Sequence, residues 1–228
     1  MDDIELQAEN VVITTSKFNP SILTQVWLVR NEILAEEDFI AGNFSPAGVQ
    51  VQSRRFVMLA VPDFIQLVPT APDPVGPDHV SPESVGDMVL RTVGRIVRAL
   101  PHTPYTGIGI NLTWTVTPDV EITALTRRLF FCAGSPIFSL FETEDAHFGG
   151  YLSKNYNGVR LKLDIKPIIW RKLSPNAPAH EPKLQFYFNF HRDLSPDDPP
   201  EVIESVLRLW DAAKKESERI MKEGLRPT

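Results

Sequence analysis

One cysteine, Cys132, stands in 228 residues. No disulfide forms within such a chain, and no zinc site built on several thiolates is open to it. No run of about 18 uncharged apolar residues occurs, which excludes a membrane-spanning helix. The N-terminal Met1-Asp2-Asp3 is acidic, and no apolar stretch of the signal-peptide kind follows it. With the single thiol, these absences lead to the expectation of a cytoplasmic protein. Positive charge is also short: 23 Lys and Arg against 29 Asp and Glu leave a net charge of -6, which makes broad nucleic-acid binding a poor expectation.

Signatures of catalysis are missing as well. The sequence has no Gly-x-Ser-x-Gly elbow, no Walker loop and no Gly-x-Gly-x-x-Gly before a helix. His191-Arg192-Asp193 matches the catalytic-loop triplet of protein kinases only superficially, since the glycine-rich loop, the lysine strand motif and Asp-Phe-Gly are absent. Cys132 lies in Phe130-Phe131-Cys132-Ala133-Gly134, a setting that predicts a buried, inert thiol. The balance leans away from an enzyme, and no cofactor is called for.

What is present is clear periodicity. Ile108, Ile110, Leu112, Trp114 and Val116 alternate with Asn111, Thr113, Thr115 and Thr117. Val159, Leu161, Leu163 and Ile165 alternate with charged residues, and Leu184, Phe186, Phe188 and Phe190 alternate with Gln185, Tyr187, Asn189 and His191. Period-two patterns predict half-buried antiparallel strands over 108–117, 159–166 and 184–191. Weaker strands are expected near 9–17, 50–60, 63–68, 136–142 and 148–154.

Helical spacing is equally legible. Ser81-Pro82-Glu83 reads as a helix start, and Val85, Val89, Val93, Ile96, Val97 and Leu100 recur behind it until Pro101. A second long helix is expected after Asp197-Asp198-Pro199-Pro200, with the stripe Val202, Val206, Leu209, Trp210, Ala213 and Ile220. Beyond Lys214 that helix is mostly charged, so its last turns are expected in solvent. A short helix is expected near 119–131, while 22–34 suits helix and strand alike. Many of the 20 prolines cluster between 69 and 82 and between 175 and 200, in loops ahead of the long helices.

The resulting fold class is α+β: a mainly antiparallel sheet from two topologically similar halves, 1–103 and 104–228, each ending in a long helix packed on the sheet. The passage from helix Val85–Leu100 into Tyr105-Thr106-Gly107-Ile108-Gly109-Ile110-Asn111-Leu112, with Phe186–Phe190 running toward a C-terminal helix, resembles a family of bacterial α+β proteins of similar length. That resemblance implies the fold and a bacterial or phage-like setting, and it carries no catalytic residues.

Three clusters are candidates for function. Glu142, Glu144, Asp145 and His147 offer carboxylates and an imidazole, but no second histidine lies at ligand spacing, so a solvated acidic loop is expected and no metal. Arg91, Arg95 and Arg98 share one helix face, a candidate surface for an acidic partner. The lightly charged outer faces of the strands suit docking of a protein partner or of a second copy, a possible homodimer. The expected role is therefore a non-enzymatic interaction protein. The alternative is a small-molecule binder or enzyme with a pocket between sheet and long helix, for which Tyr105, Trp114, Tyr187 and His191 are the candidate residues.

Overall fold

The computed structural model describes residues 3–70, 83–132, 134–141, 143–170 and 181–226. One antiparallel sheet of nine strands runs through the molecule in the spatial order β2-β3-β4-β5-β1-β6-β9-β8-β7. In chain order, β1 (Asp3–Thr15) precedes the short helix α1 (Gln25–Arg30), and β2 (Phe39–Ser45), β3 (Gly48–Ser53), β4 (Phe56–Val61) and β5 (Phe64–Pro69) form a meander that returns beside β1. Helix α2 (Val85–Ala99) leads to β6 (Tyr105–Thr117), which pairs antiparallel with β1 from Asp3↔Thr117 to Thr15↔Tyr105. Helices α3 (Ile122–Phe130) and α4 (Pro136–Ser139) follow. Then β7 (Gly150–Tyr156), β8 (Val159–Trp170) and β9 (Glu181–Asp193) meander back to β6, and α5 (Pro200–Leu207) and α6 (Trp210–Gly224) close the chain. The β7–β8 turn is Asn157-Gly158, with φ of 45° and 81°, the left-handed pair that a two-residue hairpin of type I′ requires.

The alternating apolar residues face the helices. Ile108, Ile110, Leu112, Trp114 and Val116 of β6 are buried together with Val159, Leu161, Leu163 and Ile165 of β8 and Leu184, Phe186, Phe188 and Phe190 of β9. Period two makes this face continuous across paired strands in register. Onto it α2 lays Met88, Val89, Val93, Ile96 and Val97, and the C-terminal helices lay Ile203, Val206, Leu207, Trp210, Ala213 and Met221. Trp114 Nε1 donates to Ser217 Oγ at 3.1 Å, tying β6 to α6.

Several details differ from the sequence expectations. Ser81 and Pro82 lie outside the described residues; α2 begins at Val85, capped by Ser84, whose hydroxyl accepts from Asp87 N at 3.0 Å. Within the segment 22–34 only Gln25–Arg30 is α-helix, α1, and Thr24 caps it by accepting from Trp27 N at 3.1 Å. The stretch 136–142 forms no strand in its described residues. Ser135-Pro136 starts α4 instead, and Phe138 packs its ring against Phe131 and Phe148, while Ile137, Leu140 and Phe141 stay exposed. The single long C-terminal helix is two, divided at Arg208-Leu209. Its end is not solvated on all sides: Ala213, Ser217, Met221 and Leu225 are buried, since one residue per turn suffices to hold a helix against the sheet.

Candidate functional site

The strand positions that alternate with the core make up the second face of the sheet. Three rows cross it in register: Tyr151, Asp164, Tyr187 and Thr113; Ser153, Lys162, Asn189, Asn111 and Asn10; and Asn155, Arg160, His191, Gly109 and Val12. The middle row carries a hydrogen-bond network. Asn111 Oδ1 accepts from Tyr187 Oη at 2.8 Å and from Asn189 Nδ2 at 2.7 Å, and Asn111 Nδ2 donates to Asn10 Oδ1 at 3.0 Å. Asn111 is only 7% exposed, so the network holds it as a structural amide, whereas Tyr187 is 39% exposed and presents its ring outward. Partial burial raises the Tyr187 hydroxyl above the usual tyrosine range, so it remains a proton donor across neutral pH.

Glycine matters at one point here. A Cβ on residue 109 would lie 2.7 Å from Asn189 Nδ2, so the amide of Asn189 lies across the strand only because Gly109 has no side chain. On the next row His191 Nε2 meets Asp193 Oδ1 at 2.9 Å, and this contact holds the Asp193 carboxyl below its usual range. That carboxylate is 96% exposed, and no hydroxyl or thiol bonds to His191 among the described residues. The pair orients an imidazole near the end of β9.

The outer positions of β6 are less open than alternation predicts. Thr115 is 0% exposed, because Gln7 from the bulge in β1 donates to its Oγ1 at 2.8 Å. At the same end Lys183, 2% exposed, sits 3.1 Å from Glu5. Wider access lies over β8 and β9, where Arg160, Lys162 and Lys166 stand on the outer side of β8 with Asp164, and Asp193 stands at the end of β9.

The four residues expected around a pocket divide between the two faces. Tyr187 and His191 share the outer face two positions apart on β9. Trp114 points the opposite way, toward α6. Tyr105 is buried at the start of β6, donates to Leu100 O at 3.2 Å, and has its hydroxyl pushed up to about 12 by burial.

The arginine stripe is occupied by carboxylates of this chain. Arg91 forks onto Glu83 at 2.9 and 3.0 Å, and Arg55 reaches the same carboxylate at 2.7 Å. The Arg91 hydrogen bonds draw the Glu83 carboxyl below its usual range. Arg95 pairs with Glu32 at 2.8 Å and also donates to the Glu32 carbonyl. Arg98 pairs with Glu204 at 2.7 Å, across the α2–α5 contact. Between α1, β4 and α2, Arg55, Arg91 and Arg95 border a cleft of about 350 Å³ whose apolar wall includes Ile33, Leu34 and Phe56.

Glu142 lies outside the described residues. His147 approaches Thr123 Oγ1 at 3.4 Å, and a hydrogen bond from Thr143 lowers the Asp145 carboxyl. No three His, Cys, Asp or Glu side chains converge as a metal site among the described residues. Cys132 is exposed rather than buried, because the rings of Phe131, Phe138 and Phe148 pack on one another beside it. No helix among the described residues is long and apolar enough to cross a membrane. Asn10, Glu83 and Glu204 escape sequence reasoning, since their partners stand 101, 8 and 106 residues away. Only the uniform amide content of Asn111 and Asn189 hints at the network. Comparison of the chain with protein-family models and with curated proteins returned no match.

Proposed function

We propose that this chain is a non-catalytic interaction protein that docks a protein partner on the outer face of β6, β9 and β8, centred on Tyr187. The observation that carries the reading is an exposed tyrosine ring whose hydroxyl is already fixed by Asn111. A rigid aromatic with a satisfied polar tip loses little freedom on binding, which is why such residues anchor interfaces. Arg160, Lys162 and Lys166 beside it favour a partner surface rich in carboxylates. The test places a photo-crosslinking residue at position 187, and at the exposed helix position 222 as control, in cells. The reading expects a protein adduct from 187 alone, weakened by K162E. Equal labelling at both positions, or none at 187, contradicts it.

The same reading takes the chain as two similar halves, 1–103 and 104–228, in a bacterial cytoplasm. Support for the halves lies in the sheet order: the last strand of each meander returns beside the first strand of its own half, β5 beside β1 and β9 beside β6. Support for the compartment is the single cysteine. A second reading, a small-anion binder, is favoured by the arginine-bordered cleft. It requires a carboxylate or phosphate to displace Glu83, so E83Q should raise affinity for inorganic phosphate in a calorimetric titration. No heat with either protein dismisses it.

A further inference from the structure

The two edges of the sheet differ in how they are guarded. Strand edges carry unpaired N–H and C=O groups, and soluble proteins protect them with charge, proline or bulges. At one edge β7 carries Lys154, which binds Glu216 of α6 at 2.9 Å. At the other, β2 reads Phe39-Ile40-Ala41-Gly42-Asn43-Phe44-Ser45, with neither a charged residue nor a proline. Its single irregularity lies between Phe39 and Ala41 and leaves Ala41–Ser45 in regular register with β3. Ile40 is 54% exposed and Phe44 37% exposed.

We infer that β2 is a self-pairing edge: two copies of this chain join antiparallel about a two-fold axis at Asn43, where Ala41 faces Ser45, or at Gly42, where Ala41 faces Asn43, extending the sheet across both. A second copy is the occupant because a two-fold contact sets a patch against itself. A strand charged with one sign would repel its own copy, and this strand has no charge to repel. The nearest acids, Glu36, Glu37 and Asp38, precede β2 rather than lie on it. The absent side chain of Gly42 matters too. Within one chain the Phe44 ring already lies 2.5 Å from where a Cβ on residue 42 would sit, so the aromatic covers the glycine and leaves the backbone edge flat for a neighbour. The outer face around Tyr187 takes no part, so this inference stands apart from the docking role proposed above.

The test is light scattering across a concentration series on the full chain. Wild type is expected to show twice the monomer mass, with dissociation on dilution. The variants A41K/N43K and A41E/N43E place like charges opposite each other in either register and should each run as folded monomers, checked by circular dichroism. Mixed one to one, they should recover the dimer mass. A monomeric wild type overturns the inference, as does A41K/N43K that dimerises like wild type or a mixture that stays monomeric. Loss of the crosslink at position 187 without loss of the dimer would instead strike only the docking role.

Discussion

Asn111 shows how much one side chain can organise. Its oxygen accepts two hydrogen bonds and its nitrogen donates a third, in a site 7% exposed. Y187F removes one donor and leaves the oxygen with the other, so it should cost about 0.5–1.5 kcal/mol. N111A strands Asn189 and Asn10 as well and should cost about 1–3 kcal/mol. Urea unfolding of both variants checks the order; Y187F costing more than N111A would contradict this account. Glu32 is a second case. It follows α1 with φ of 54°, its N–H donating to Val29 O while Ile33 N donates to Leu28 O, the pattern of a Schellman end in which glycine is usual. E32G relieves the left-handed backbone cost of about 1 kcal/mol and loses an exposed ion pair worth about 0–1 kcal/mol. It should match or exceed wild type in melting temperature, while E32A, which keeps the strain and loses the pair, should fall below it.

Among elements, the α2–α5 contact is the most specific. Glu204 is 5% exposed and takes Arg98 at 2.7 Å and Arg208 at 3.7 Å. Gly94 lets it approach, since a Cβ there would lie 3.3 Å from Glu204 Oε1. E204Q weakens charge-assisted bonds and should cost about 1–3 kcal/mol, read as a lower urea midpoint at an unchanged m-value. An unchanged midpoint would mean that the exposed arginine ends contribute nothing. In the sheet, Phe188 is 0% exposed at the middle of β9. F188A should cost about 3–5 kcal/mol, transfer and cavity together. These elements also show what was readable beforehand. Strands β6, β8 and β9 and helix α2 were legible because alternation and helical spacing are local consequences of one apolar face. The helical nature of 136–139 was not, because Phe138 packs on Phe131 and Phe148 rather than on a sheet. Nor was the arginine stripe: its spacing predicts one face of a helix, but the carboxylates that meet it come from α5, from the end of α1 and from the residue ahead of Ser84.

Over the whole molecule, ion pairs fasten the helical layer to the sheet. Lys214 of α6 holds Glu9 of β1 at 3.1 Å, and Lys154 of β7 holds Glu216 of α6 at 2.9 Å. Hydrogen bonds from Arg219, with those from Lys154, lower the Glu216 carboxyl to about 2, and Glu83 is lowered in the same direction by Arg91. A carboxylate whose folded value lies below its unfolded value of about 4.5 stabilises above that value and loses the effect as pH falls. Stability should therefore hold from pH 7 to near 5 and decline between about 4.5 and 2. E216Q should flatten part of that decline in urea unfolding at stepped pH, and a wild-type curve level down to pH 2.5 would refute the coupling.

Periodicity and composition alone settle the class of this protein: which strands turn a greasy side to helices, that α2 and the C-terminal helices are amphipathic, and that disulfides play no part. Each follows from neighbours close in sequence, where one residue's place determines the next. Which amides meet at Asn111, which carboxylates take the arginines, and which edge of the sheet is left unguarded were decided only by the tertiary fold. Those contacts join residues up to about a hundred positions apart, and no local pattern records the strand order that brings them together.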